Sequence, residues 1–381
     1  MDNVISEREK KHNMPGNKVI VVNYVAKHGY VFPFRMVEGL PTQATVYAIV
    51  SKNMENIEDW RSVPDLNLIE IDGYTDLKSF CRKLLSFYIH DAPKIKALCK
   101  NISPAAVYVP QNTFWAAFVD FTLRKYKMTY EMHDPIPHNK YDLYNRFTNY
   151  YLGKRAERIV VLSEQFREYV SKKYKKKVSV IPSGCEIASV ESSNVTPPVS
   201  FDESKINFVF QGRIDEYKGI DILVCAYKRI KSEYDNVTLT IAGSGDISPY
   251  KEKLANLTDC TVINRWIENN ELPYLFNDRC VVAVLPYKSA TQSGVINVAM
   301  PCGAPVIATR CGGIIEQIQD GITGLLAEPG DPDSLYNKMK LVIEHPDILS
   351  ILRENAYKRM RNLDWSVLAS QLICFMMEAE E

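Results

Sequence analysis

The chain has 381 residues, enough for two α/β domains each with its own core. Lys plus Arg and Asp plus Glu both number 46, so the balance of charge gives no sign of nucleic-acid binding. Nine cysteines show no C-x-x-C pair, their number is odd and several lie inside apolar runs, which suits a reducing compartment.

Residues 1–17 are polar and charged, without an apolar core of signal-peptide length. The longest apolar runs are strand-sized, far below the roughly 20 residues of a membrane span. A soluble, cytoplasmic protein is expected, with contact to a membrane surface left open. Strands are read at 19–22, 44–50, 105–109, 128–132, 158–162 and 178–181, with helices over 76–100 and 139–156. Apolar strands alternating with helices predict a parallel sheet covered on both faces. Residues 185–204, rich in Ser, Glu, Val and Pro, read as a linker. Strands then resume at 206–210, 237–241, 261–263, 281–285 and 305–308. The helix beginning at Gly219 carries Ile220, Leu223, Val224, Tyr227 and Ile230 on one stripe.

In the first half, Glu131-Met132-His133-Asp134-Pro135-Ile136-Pro137-His138 directly follows a strand. Its prolines pin the loop, and His133 stands where the strand leaves the sheet. A structural and a functional histidine both remain open there. Lys172, Lys173, Lys175, Lys176 and Lys177 form the one dense basic cluster. It is read either as a solvated helix end or as contact with anionic lipid headgroups.

Three constellations stand in the second half. Gln211 to Gly219 joins a strand to an amphipathic helix, at the sheet edge where open α/β folds bind ligands. Gly212 and Gly219 allow close backbone approach, while Arg213 and Lys218 place two cations suited to phosphate, unless they are ordinary surface charges. Tyr287 to Val295 is a polar loop after a strand, with a helix expected from about Ser293. Its first amides, at Ser293, Gly294 and Val295, form an anion site or merely an N-cap. Cys311-Gly312-Gly313 leads to Glu316 one turn later, and an Asp320-Gly321 turn follows. No Asp-x-Asp follows a strand end, since Asp331 and Asp333 read as a turn and helix cap. No essential divalent metal and no bound cofactor are expected.

Together, Gly212-Arg213 with Lys218-Gly219, the Ile241-Ala242-Gly243-Ser244-Gly245 word and residues 299–309 with Gly312-Gly313 and Glu316 carry a resemblance. Residues 207–365 resemble the glycogen-synthase-like, retaining group of GT-B glycosyltransferases, the glycosyl transferases group 1. The resemblance implies two Rossmann-like domains facing across a cleft. These would be an acceptor domain over 1–184 and a nucleotide-sugar domain over 205–363. A last helix, 364–381, would return to the first domain. It further implies that Arg213 and Lys218 hold the diphosphate of a nucleotide sugar, a co-substrate rather than a cofactor. His133 would face the transferring sugar, and residues 28–34 would stand for the acceptor loop. The acceptor would be a glycan or lipid-linked glycan. Two glutamates usual in the group are replaced by Ala290 and Val298, and Thr291 to Val295 match a subset with that change. Gln292, Asn297 and Glu316 are the substitutes to test. The alternatives are a catalytically silent nucleotide-sugar or glycan-binding subunit and a GT-B epimerase or phosphorylase-like enzyme.

Overall fold

The computed structural model describes residues 18–27, 31–73, 77–136, 143–185, 196–277 and 279–379. The segment 1–17, His28 with the next two acceptor-loop residues, His138 and residues 186–195 of the expected linker lie outside them. The chain divides into two compact units, Met1–Pro182 with Trp365–Glu381, and Ser183–Asp364.

The first unit runs β1 (Val19–Tyr24), α1 (Val31–Glu38), β2 (Thr45–Ser51), α2 (Ile57–Ser62), β3 (Leu66–Ile71), α3 (Leu77–Ser86), α4 (Ala92–Ile102), β4 (Ala106–Val109), α5 (Phe114–Leu123), β5 (Met128–Met132), α6 (Leu143–Arg155), β6 (Arg158–Val161), α7 (Arg167–Tyr174) and β7 (Lys177–Val180). Among the described residues its sheet is parallel, in the order β3-β2-β1-β4-β5-β6-β7. Strands β1 and β4 are buried along their whole length, which is why their sequences are continuously apolar rather than alternating. The helix predicted over 76–100 is interrupted by a π-turn at Phe87–Asp91. Pro93 follows immediately, and a proline there removes an N–H and crowds the preceding turn, which the wider turn relieves.

The second unit runs β8 (Ile206–Gln211), α8 (Ile220–Glu233), β9 (Val237–Ala242), α9 (Lys251–Ala255), β10 (Cys260–Ile263), α10 (Leu272–Phe276), β11 (Val281–Leu285), α11 (Ile296–Ala299), β12 (Val306–Thr309), α12 (Ile314–Gln317), β13 (Leu325–Ala327), α13 (Pro332–Glu344) and α14 (Asp347–Met360). Its sheet is parallel in the order β10-β9-β8-β11-β12-β13. The predicted stripe of α8 is buried at Ile220, Leu223, Val224, Tyr227 and Ile230. Asp331 caps α13, accepting from the Asp333 and Ser334 amides, as the turn-and-cap reading expects.

The chain then enters α15 (Trp365–Met377), whose Leu368, Ala369, Leu372, Ile373, Phe375 and Met376 share a core with Ile20, Tyr24 and Met36 of the first unit. The linker reading needs correction at both ends. Cys185 bonds through its amide to Leu363 O and through its thiol to Met360 O. Val199 and Phe201 pack against the second core. These residues are therefore held by apolar burial and hydrogen bonds within the second unit.

Candidate active site

In the second sheet, strand order reverses between β8 and β11, so their carboxyl ends open a crevice at the place where such folds bind ligands. The Gln211 to Gly219 loop leaves β8, and the Tyr287 to Val295 loop follows β11. The two are locked together: Lys288 N donates to Tyr217 O at 2.7 Å. Gly219 lies at φ +69° against the Pro286 carbonyl, with which a Cβ would collide. Gly219→Ala should therefore lower stability by roughly 1–3 kcal/mol from backbone strain alone. Urea unfolding checks this; an unchanged midpoint would contradict the close approach.

Arg213 is exposed, and its Nη2 lies 3.2 Å from the Tyr217 hydroxyl, which steadies the guanidinium. Lys218 is half-buried, with Nζ 3.7 Å from the centre of the Tyr287 ring and 5.0 Å from that of Tyr217. Among the described residues it has no ion-pair partner. Burial first, then the Arg213 cation, pull its pKa down to about 8, against smaller opposing effects of Asp215 and Cys311. An ammonium over an aromatic face, beside another cation and without a carboxylate in ion-pair contact among the described residues, is a site that an anion completes.

The second constellation is built differently from the sequence expectation. The helix there is only Ile296–Ala299, not one starting near Ser293. Ser293 is buried, and Gln317 grips it from both sides: Ser293 N donates to Oε1 at 2.8 Å, and Nε2 donates to Ser293 O at 3.0 Å. The Ser293 amide is thus already satisfied. The Gly294 and Val295 amides make no hydrogen bond among the described residues, and Gly294 is exposed. Asn297 is corrected too. It is buried, donates to Ser183 O at 2.9 Å and Gly184 O at 3.0 Å, and accepts from Gln317 Nε2 at 3.1 Å. With its polar atoms engaged it secures the start of the unit rather than facing a ligand. Gln292 and Glu316 are partly exposed; Gln292 Oε1 accepts from Ser183 N at 3.3 Å, and Arg359 donates to the Glu316 carbonyl. Ala290 and Val298 pack against the core. Gly212 closes β8 at φ +141°, its carbonyl so near Gly243 that a Cβ on Gly243 would collide with it.

His133 directly follows β5, one strand beyond the β1–β4 reversal of the first sheet, and its ring reaches back toward the end of β4. Its Nε2 lies 2.9 Å from Pro110 O, just past β4, and 3.2 Å from Glu131 Oε1. The Phe32 ring of α1 meets it edge-on at 4.5 Å. Burial pulls the His133 pKa down, but the Glu131 carboxyl beside the ring, the Asp134 charge and the Pro110 carbonyl outweigh it, and the net shift is upward. Sequence reasoning missed Tyr287, Gln317 and Glu131. Of these only Glu131 carried a signal, a charged residue inside an otherwise buried strand.

The lysine cluster is largely engaged. Lys172 pairs with Glu168, Lys173 bonds the Tyr169 hydroxyl, and Lys177 pairs with Glu378 at 2.8 Å. That is the pattern of a solvated helix end. Among the described residues no helix is long and apolar enough to cross a membrane.

Residues 205–345 match the family model described as Glycosyl transferases group 1. An uncharacterised glycosyltransferase of Methanocaldococcus jannaschii is 26% identical over 230 residues, 59% of this chain and 61% of that protein. The aligned part thus spans about three fifths of that relative. A second from the same organism is 22% identical over 321 residues, 82% of this chain and 76% of the other. Among solved structures, the sucrose-phosphate synthase of Thermosynechococcus elongatus has a TM-score of 0.70 at 20% identity, covering 94% of this chain and 98% of that one. Anabaena HepE in complex with UDP and glucose has a TM-score of 0.69 at 15% identity, covering 93% and 99%. With the two parallel sheets, these likenesses show a GT-B fold of two Rossmann-like domains.

Proposed function

We propose that the chain is a retaining glycosyltransferase that moves a hexose-type sugar from a nucleoside diphosphate sugar to a hydroxyl of a glycan or lipid-linked glycan. The observation that carries this reading is Lys218. It is a half-buried ammonium beside Arg213, with no carboxylate in ion-pair contact among the described residues, at the switch point of the unit that matches glycosyl transferases group 1. A diphosphate supplies the missing anion. As the bond from the anomeric carbon to the phosphate oxygen breaks and the acceptor oxygen takes its place, charge builds on the departing diphosphate. Arg213, Lys218 and the Gly294 and Val295 amides meet that charge, so the reading invokes no divalent metal. Gln292 and Glu316 are the side chains proposed for ribose and sugar hydroxyls, and His133 acts on the transferring sugar. HepE, crystallised with UDP and glucose, supports a nucleotide-sugar donor.

The Lys218 pKa gives a direct test. Its folded value lies below the usual 10.5, so in the free protein the charge is present below about pH 8 and lost above it. Affinity for UDP, GDP or ADP, whichever binds best, should fall roughly tenfold between pH 7 and pH 9, because the charged fraction falls about tenfold per pH unit above the midpoint. Calorimetric titration would show it, with Lys218→Gln flat over the same range. A flat wild-type profile would remove Lys218 from the diphosphate site.

A second reading, a silent binding subunit, is favoured by Ala290 and Val298, which pack on the core and leave no carboxylate at either place.

Contact with an anionic membrane is proposed through α6 rather than through the paired lysines. Leu143, Phe147 and Tyr150 are 72%, 61% and 55% exposed, and Lys154 lies over the Tyr150 ring at 5.9 Å. Their spacing places these four residues on one helical stripe. Sedimentation with phosphatidylserine vesicles should drop with salt and in Phe147→Ser/Lys154→Gln, whereas Lys172→Gln/Lys177→Gln should change little. No vesicle binding at low salt would remove the membrane from the account.

A further inference from the structure

Beneath His133 lies a buried polar chain that the proposed transfer does not by itself explain. Strand β4 sets Tyr108 opposite Thr129 of β5, and Glu131 follows two residues later on the same face. Both Tyr108 and Glu131 are fully buried, among apolar residues that include Tyr24, Phe34 and Val160. The Tyr108 hydroxyl donates to Glu131 Oε2. Glu131 Oε1 has no hydrogen bond among the described residues, and its one polar neighbour is His133 Nε2 at 3.2 Å. A carboxylate in an apolar core is strongly disfavoured unless a cation or donors meet it, so this placement has a physical cause to be sought.

The other partner of Nε2 settles the chemistry of the ring. Pro110 O, at 2.9 Å, can only accept. Nε2 therefore keeps its hydrogen in every protonation state, and Nδ1 is the nitrogen that titrates. Nδ1 has no partner among the described residues. Neutral His133 would offer Nδ1 as an acceptor; protonated His133 offers it as a cationic donor. The titratable groups around the ring are the carboxyls of Glu131 on β5 and Asp134 on its own loop, while Phe32 from α1 presents only an aromatic edge.

We propose that Glu131, pinned by Tyr108, is a positioning residue that holds His133 as an imidazolium, so that its working atom toward the sugar is the Nδ1–H donor rather than a basic lone pair. This rests on the proposed transfer for its purpose but not for its test. The Asp-His pairing of hydrolytic triads uses a carboxylate to orient a base; here the Pro110 carbonyl already orients the ring, and the carboxylate sets its charge.

The experiment is a pH titration of the full, unliganded chain labelled with 15N-histidine, followed by long-range 1H–15N NMR. Signals missing in His133→Gln identify the residue. The wild-type ring should lose its proton at Nδ1, with a midpoint above the ordinary 6.5. Glu131→Gln, close in shape to the native side chain, should lower that midpoint by about one pH unit or more, and Glu131→Asp should restore part of it. In a transfer assay the alkaline limb of kcat/KM should move down in Glu131→Gln, with nucleoside diphosphate affinity held within threefold. An unchanged midpoint in Glu131→Gln, or titration at Nε2, would overturn the proposal. If Glu131→Gln does not fold, the wild-type spectrum still decides, since a midpoint below 6.5 overturns it alone. Absence of any transfer by the wild type would sink the functional reading and leave the NMR result standing.

Discussion

Replacing both cations of the β8 loop, as Arg213→Ala/Lys218→Ala, is expected to abolish measurable transfer and nucleotide binding together. Each lost charge-assisted hydrogen bond is worth roughly 1.5–3 kcal/mol, so either single change should weaken nucleoside diphosphate binding by about 10- to 150-fold. The two should not contribute equally. Lys218 is half-buried over Tyr287, and removing it opens space over that ring as well as removing charge. Arg213 is exposed, and its loss leaves Tyr217 with its backbone bond to Lys288 intact. Lys218→Ala should therefore cost more affinity than Arg213→Ala, because a half-buried charge is less screened than an exposed one. Unchanged affinity in both single variants would take the clamp out of the account.

His133→Ala is expected to separate binding from turnover. The cations proposed to hold the diphosphate belong to the second unit and His133 to the first, so affinity for the free nucleoside diphosphate should stay within about threefold, under 1 kcal/mol. Turnover should fall by roughly 100-fold or more, the scale of losing one positioned group. Urea unfolding is the necessary control, because the ring also packs against Phe32 and bonds Pro110 O. Wild-type kcat in a folded His133→Ala protein would make this histidine structural.

The architecture was legible where strands are buried on both faces. Continuous apolar runs at β1, β4, β8 and β11 announced a parallel sheet, and the glycines at 212 and 219 marked the carboxyl edge of the second one. Strand β3 escaped because it is an edge strand, Leu-Asn-Leu-Ile-Glu-Ile, mostly half-exposed and polar enough to pass for loop. Strand β13 escaped because it has only three residues. At the candidate site, the placing of Arg213 and Lys218 on one loop after β8 was legible because two cations between turn-forming glycines have a local signature. The roles of Ser293 and Asn297 were not, since both are decided by Gln317, some 20 residues on, which brings a side-chain amide to them through packing. The pairing of Tyr108 with Glu131 is likewise a product of strand register, which neither residue's neighbours in sequence reveal.

The central claim is transfer from a nucleotide sugar. It is tested most directly by incubating the full chain with UDP-, GDP- and ADP-hexoses and scoring free nucleoside diphosphate, with and without glycan acceptors. The account predicts release from at least one donor, stimulated by acceptor, absent in Arg213→Ala/Lys218→Ala and reduced about 100-fold in His133→Ala. Saturable binding of a donor with no release under any acceptor would contradict it, and would make the chain a silent nucleotide-sugar-binding subunit.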